Sequence, residues 1–230
     1  MKFAPGVITG AASGKLGSMV FSHNRYGAYT RTFVIPTKST TAAALAAKAR
    51  LGNLSTAWNG LTAAQRLSWR AWAQTNPAVD RLGAQITLQA NAAFIGSNTR
   101  LLQAGIAQIS DPPIGTAPDA LTTMSFTSDI GVGTTEVAFT PTPLGATERL
   151  WLNAYVADSE GVNYVSNFLR NITITAAAQT TLYDYQADIE SVFGTLVVGQ
   201  IVHIWAYNFD GATGQLSLPL RARTTVISTP

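Results

Sequence analysis

The chain has 230 residues, 47% of them apolar and only 12% charged, with a net charge of +3. That apolar share supports a packed core and excludes a disordered chain, while the charge is well below the roughly 25% usual for a soluble domain. Cysteine is absent, which excludes disulfides, thiolate zinc sites, iron–sulfur clusters and thiol catalysis.

The first residues, Met1-Lys2-Phe3-Ala4-Pro5-Gly6, break before an apolar run can form, so no secretory signal is expected. Val7-Ile8-Thr9-Gly10-Ala11-Ala12-Ser13-Gly14 looks like the glycine-rich turn of short-chain dehydrogenases. The next glycine is Gly17, one residue too late, and no Tyr-x-x-x-Lys pair occurs in the chain. Such a turn must also open a helix that binds pyrophosphate, whereas the residues after Gly17 read as strand. Gly10 to Lys15 is no phosphate-binding Walker loop either, since Leu16 stands at the Ser/Thr position. The segment reads as a glycine-rich arm.

Residues 17–23 and 28–35 read as strands flanking Asn24-Arg25-Tyr26-Gly27, whose Asn and Gly suit a tight hairpin. An isolated hairpin is marginally stable in water. Residues 1–36 therefore form an extended arm that leans on helices or on another chain.

A helical region follows over 37–110. Leu51, Leu54 and Trp58 share a face continued by Ala44 and Ala47. Thr62-Ala63-Ala64-Gln65 is a capping box, in which hydroxyl and amide each satisfy an orphan backbone amide. Trp69, Trp72 and Ala73 make the next apolar face, and Asn76-Pro77 ends that helix. A third helix is expected from about 86 to 104, with Leu88, Ala92, Ile95 and Leu102 on one side and Phe94 and Leu101 beside them. Gly105 suits its left-handed cap. Trp58, Trp69 and Trp72 stand at helical spacing, which places them in a core.

Residues 111–119 hold three prolines and a glycine and read as a linker. The charge divides there too. Residues 1–112 carry eleven Lys and Arg against Asp80 and Asp111, a net +9, and residues 113–230 carry four Arg against ten acids, a net −6. The basic residues are scattered singly, so a nucleic-acid partner is not expected, and docking on an acidic protein is.

Beyond the linker the period changes to two. Residues 134–139, 148–157, 170–175, 181–185, 200–208 and 215–227 read as strands, with turns at 141–143, 158–161 and 210–214. The expected fold is α+β and multidomain: arm, small helical domain, and an antiparallel β-sandwich over 120–230. The run from Leu196 through Tyr207, with Asp210 to Gly214 and Gln215-Leu216-Ser217, resembles the last hairpin of fibronectin type III domains. The most apolar window, 192–209, is interrupted by Gly194, Gln200 and His203, so no membrane span is expected.

Candidate chemistry is sparse. His23 and His203 are far apart and lack metal-ligand spacing, and no Gly-x-Ser-x-Gly elbow offers a nucleophile. Asp158, Glu160 and Asp210 fall in turns, where a carboxylate pair or a calcium site would be the functional reading and local hydrogen bonding the structural one. Tyr164, Tyr183 and Tyr185 are the aromatic residues that a glycan-binding face would use. No catalytic, cofactor-binding or metal residue is assigned, and no cofactor is expected.

Ser13 through Ser22 with Arg25, Gly27, Tyr29 and Arg31 resembles the opening of a group of proteins encoded by tailed bacteriophages and prophages. Pro36, Thr40-Thr41, Arg50, Leu54, Trp58, Leu61-Thr62, Gln65-Arg66, Trp69, Gly83, Phe94, Asn98, Leu101-Leu102, Gly105 and Pro112-Pro113 extend the likeness to about residue 115. The resemblance implies a virion-associated protein. The expected role is a non-enzymatic structural component of the particle, a capsid-attached decoration or cement protein. A tail- or fibre-attached protein whose sandwich binds the host surface or a glycan is the alternative. The expected partners are other virion proteins and further copies of the chain, with no membrane.

Overall fold

A computed structural model describes residues 13–24, 27–35, 41–79, 84–115 and 117–229. The chain falls into two compact units, Met1–Lys48 and Ala49–Pro230.

The first unit carries a three-stranded antiparallel sheet of β1 (Gly14–Leu16), β2 (Met19–Asn24) and β3 (Gly27–Thr32), in that order. Leu16 pairs with Met19, so Gly17 and Ser18 alone make the turn, and Gly17 supplies the positive φ of 57° that such turns need. The pairing of β2 with β3 fits the hairpin read from the sequence. Its tip residues 25 and 26, like Gly10 of the glycine-rich arm, lie outside the described residues. Strand β1 was not foreseen. No described side chain of this sheet is buried.

Helix α1 (Ala42–Gly60) buries only Leu54. Leu51, placed by its spacing on the same face, is 54% exposed, because this helix carries no continuous apolar stripe to seat it. Helix α2 (Ala63–Thr75) starts at the foreseen capping box: the Gln65 amide N–H donates to Thr62 Oγ1 at 3.2 Å, and Thr62 N–H donates to Gln65 Oε1 at 3.0 Å. Residues 78–79 (β4, Ala78–Val79) and 85–86 (β5, Gln85–Ile86) pair as a small ribbon. Helix α3 (Ala90–Gln103) follows. Leu54, Trp69, Ala73, Ala93 and Phe94 make the helical core. Phe94 meets Trp69 edge-on at 5.5 Å, a geometry in which a ring edge meets a ring face, and meets Trp58 at a tilt at 5.6 Å. Trp69 is a core residue, and Trp58 and Trp72, half-buried, pack against that core.

The buried face of α3 differs from the expected one. Ala93, Phe94, Ser97, Asn98 and Leu101 are buried, while Ala92 is exposed and Leu88, Ile95 and Leu102 are half-buried. Small and polar residues take the inner positions because backbone approaches closely there. Asn98 donates Nδ2–H to the Phe94 and Ile109 carbonyls, and its Oδ1 accepts from the Ile109 amide at 2.7 Å. Gly105, at φ 71°, ends the helix as expected.

The rest is mixed with antiparallel sheets. One has the order β10 (Tyr183–Asp184), β7 (Thr134–Thr140), β6 (Thr123–Asp129). The other is centred on β11 (Ile201–Asp210), which pairs along its whole length with β8 (Glu148–Ala157), and β8 pairs with β9 (Arg170–Ala177). The far side of β11 takes β12 (Gln215–Leu216) and β13 (Leu220–Thr225). The sequence reads 215–227 as one strand, but Pro219 has no amide hydrogen for a ladder and the strand breaks around it. The expected strand 181–185 shrinks to two residues, since Leu182 takes a positive φ of 61° and Tyr185 starts α4 (Gln186–Phe193). The two sheets share one core: Val137 and Phe139 from one, Leu150, Leu152, Val202 and Ile204 from the other, with Tyr185 and Ile189 between.

Residues 111–119, read as a boundary, run within the second unit. Helical and sheet parts share a cluster of Leu101, Trp151 and Phe209. The prolines bar ladder pairing, but the segment is held from both sides: Trp69 Nε1–H donates to the Ser110 carbonyl and Asn208 Nδ2–H to that of Asp119.

Candidate functional site

The outward face of β11 is the place where polar and aromatic groups converge. Val202, Ile204 and Ala206 enter the main core, so strand alternation puts His203, Trp205, Tyr207 and Phe209 on the other side. In register, β13 sets Arg223 beside His203 and Arg221 beside Trp205, while β8 sets Tyr155 and Asn153 on their other flank. Helix α3 covers one end of this face through Leu101. Segment 158–169 covers the other, with Val165 buried and Phe168 stacked on Tyr155 at 5.3 Å.

Between that segment and β13 lies an open groove of about 820 Å³. His203, Trp205, Arg221 and Arg223 line its floor, and Asn163, Tyr164 and Ser166 stand on its wall. The Arg221 guanidinium lies 4.0 Å over the Trp205 ring, an attraction between cation and ring quadrupole that also fixes the side chain. Arg223 Nη1–H donates to Asn163 Oδ1 at 3.1 Å. Among the described residues neither arginine has a carboxylate in ion-pair contact. Glu160 lines a smaller adjoining recess with Arg223.

His203 is 7% exposed, and its Nε2 has no hydrogen-bond partner. Burial, and then the Arg223 charge, push its pKa below the ordinary histidine value of 6.5, against a backbone hydrogen bond with Val162 that favours the charged form. The folded chain thus holds the ring neutral at pH 7. Protons bind more readily to the unfolded chain, so the stability from His203 is complete above pH 6.5 and is lost as pH falls from there toward the folded pKa. Arg223 and Tyr155 flank the ring in register, and Tyr164 and Arg221 are the other titratable groups that line the groove with it. Denaturant unfolding of the full chain at pH 7.5 and 5 should show a loss that His203→Gln reduces. Identical pH profiles for both proteins would rule the ring out as the source.

The remaining candidates separate. His23 lies exposed in β2. Asp158 accepts from Gln200 Nε2 at 2.9 Å, and Asp210 accepts from the Ala212 amide and Thr213 hydroxyl within its own turn. Ala157 and Glu148 pair with Ile201 and Asp210 at opposite ends of one ladder, so Asp158 and Asp210 stand about 30 Å apart at about 3.4 Å per residue. They are no carboxylate pair. No group of three or more His, Cys, Asp or Glu among the described residues could hold a metal. Of the tyrosines, Tyr185 is fully buried, with Oη–H donating to the Thr127 carbonyl and burial raising its pKa strongly. Tyr183 donates to Asp188 Oδ2 at 2.8 Å. Only Tyr164 reaches the groove, at 65% exposed.

Sequence reasoning missed Arg221 and Arg223. Their signal was two arginines at period two near the end of the chain, meaningful only once β13 is paired with β11. No helix among the described residues is long and apolar enough to cross a membrane. No protein-family model matches the chain, and no curated protein matches it.

Proposed function

We propose that the chain is a non-enzymatic structural subunit of a tailed bacteriophage particle, a decoration protein attached to the capsid. The reading rests on the likeness of residues 10–115 to virion-associated proteins. The observation that carries it is the N-terminal sheet. Leu16 and Met19 are 72 and 46% exposed in a sheet without one buried side chain among the described residues, and Val34 and Ile35, just past β3, are 64 and 74% exposed. Ordering a backbone costs about 1–2 kcal/mol per residue, and a short three-stranded sheet with no core does not recover that in water. Burial of these apolar side chains on neighbouring particle proteins does. The two sheets with one shared core suit an immunoglobulin- or fibronectin-like module carried by this anchor.

The test is incorporation. Replacing Leu16, Met19, Val34 and Ile35 together by Ser removes apolar burial of about 1.5–3 kcal/mol for each side chain that would become fully covered. Copies per purified particle, counted by quantitative mass spectrometry, should fall at least about tenfold, a factor equivalent to 1.4 kcal/mol. The melting of the second unit should be unchanged. Unaltered incorporation would overturn the anchor. Copy number also separates capsid from tail, since shell and tail differ in symmetry.

A further inference from the structure

We propose that the groove between segment 158–169 and β13 binds an acidic polysaccharide, with Arg221 and Arg223 pairing with its carboxylate or sulfate groups. The site needs no particle attachment, so this inference is independent of the virion role.

Three observations lead to an anionic ligand. The first is the pair of arginines: they alternate with Ala222 on β13 and share one face about 7 Å apart at strand spacing. Neither is matched by a carboxylate among the described residues. The second is their preparation. Trp205 holds Arg221 and Asn163 holds Arg223, so little side-chain freedom is lost when an anion arrives. The third is His203, nine-tenths buried at the groove floor with Nε2 unpartnered. A buried polar atom without a partner costs free energy, which a ligand hydroxyl would recover once the wall segment shifts to admit it.

The lining points to a sugar. The groove is open and its wall residues Asn163, Tyr164 and Ser166 are exposed, unlike sites that enclose most of a small ligand. It offers no deep apolar pocket of the kind that anchors a protein side chain, and two arginines do not make the basic stripe a nucleic acid follows. Instead an exposed aromatic ring, Tyr164, stands next to amide and hydroxyl groups. Those groups suit the apolar ring faces and the hydroxyls of a saccharide chain.

Calorimetry and nuclear magnetic resonance on the full chain test this with oligogalacturonate for carboxylates and dextran sulfate oligomers for sulfates. At least one should bind and shift the His203 ring resonances, and neutral dextran should not. Which of the two binds more tightly names the anion. Arg221→Gln with Arg223→Gln should weaken binding at least about tenfold, since the charge-assisted hydrogen bonds to the anion are lost. Both arginines are exposed, and an unchanged melting temperature verifies that the variant folds. Arg221→Lys keeps the charge and loses the planar fork, and should fall between. Absence of binding by either acidic probe at millimolar concentration would overturn the proposal. So would full binding by the double variant, or equal binding of polyglutamate or of a single-stranded oligonucleotide.

Discussion

Trp69→Ala should destabilise the full chain by about 3–5 kcal/mol, the range for removing a buried indole. The side chain is completely buried, packs edge-on against Trp72 and Phe94 at 5.5 Å each, and donates Nε1–H to the Ser110 carbonyl at 2.8 Å. Truncation leaves a cavity between α1, α2 and α3 and an unpartnered carbonyl just ahead of Pro112 and Pro113. At roughly 2–4 °C per kcal/mol for a domain of this size, the melting temperature should fall by about 10 °C. Trp69→Phe keeps part of the ring, loses the hydrogen bond and leaves a smaller void, so a loss of about 1–3 kcal/mol is expected. A change below about 1 kcal/mol in the Ala variant, the usual effect of an ordinary point substitution, would mean that the helical core contributes little to folding.

Gly214→Ala should cost nearly as much, although it adds a single methyl. Gly214 has φ 70°, and a Cβ there would stand 2.7 Å from the Ser97 carbonyl oxygen and 3.0 Å from Leu101 Cγ. The first is helix backbone and cannot rotate away. A left-handed conformation costs about 1–2 kcal/mol for an L-residue, and overpacking adds about 1–3 kcal/mol. The shift would also disturb Arg100, whose Nη1–H donates to the Gly214 carbonyl at 3.0 Å. Gly133 is the control: its φ is 72°, but a Cβ meets nothing within 4 Å, so Gly133→Ala carries the conformational part alone. The difference between the two measures the contact of α3 with the β11–β12 turn. Far-ultraviolet dichroism and tryptophan fluorescence should shift together in Gly214→Ala, as they do when one cooperative transition covers both parts. Separate transitions, with only the helical one displaced, would restore 111–119 as a true domain boundary.

What the sequence disclosed and what it hid obey one rule: local chemistry is legible, long-range pairing is not. The ends of β8 at Glu148 and Ala157 agree with the expected strand, because the alternation is bounded by turn residues on both sides. Thr62, Gln65 and Gly105 needed only neighbours within a turn of helix to reveal their roles. Strand β6 escapes notice because Met124 and Phe126 alternate with Ser and Thr immediately after the proline-rich stretch, where weak patterning reads as linker. Helix α4 is too short for its period to show, and only Ile189 is buried. The inner face of α3 differs from its apolar stripe because Ser97 and Asn98 are selected by the backbone of other segments, Gly214 and Ile109, outside the helix itself. The groove is invisible in the sequence for the same reason, since its floor comes from two strands and its wall from a third segment.

The floor and the wall of that groove are held by different means. His203 and Trp205, with Arg221 and Arg223, sit on strands locked in register over six consecutive pairs. Segment 158–169 forms no ladder and is held by Val165, the Phe168–Tyr155 stack, a few turn hydrogen bonds and single hydrogen bonds of Asp158 to Gln200, Val162 to His203 and Asn163 to Arg223. Changes at exposed positions such as Asn163, Tyr164 and Ser166 should leave folding within about 0.5 kcal/mol while reshaping the surface opposite the arginines. Selection for a new ligand can therefore act on one short stretch of the gene while the basic floor persists, so that ligand preference can drift at little cost to the scaffold.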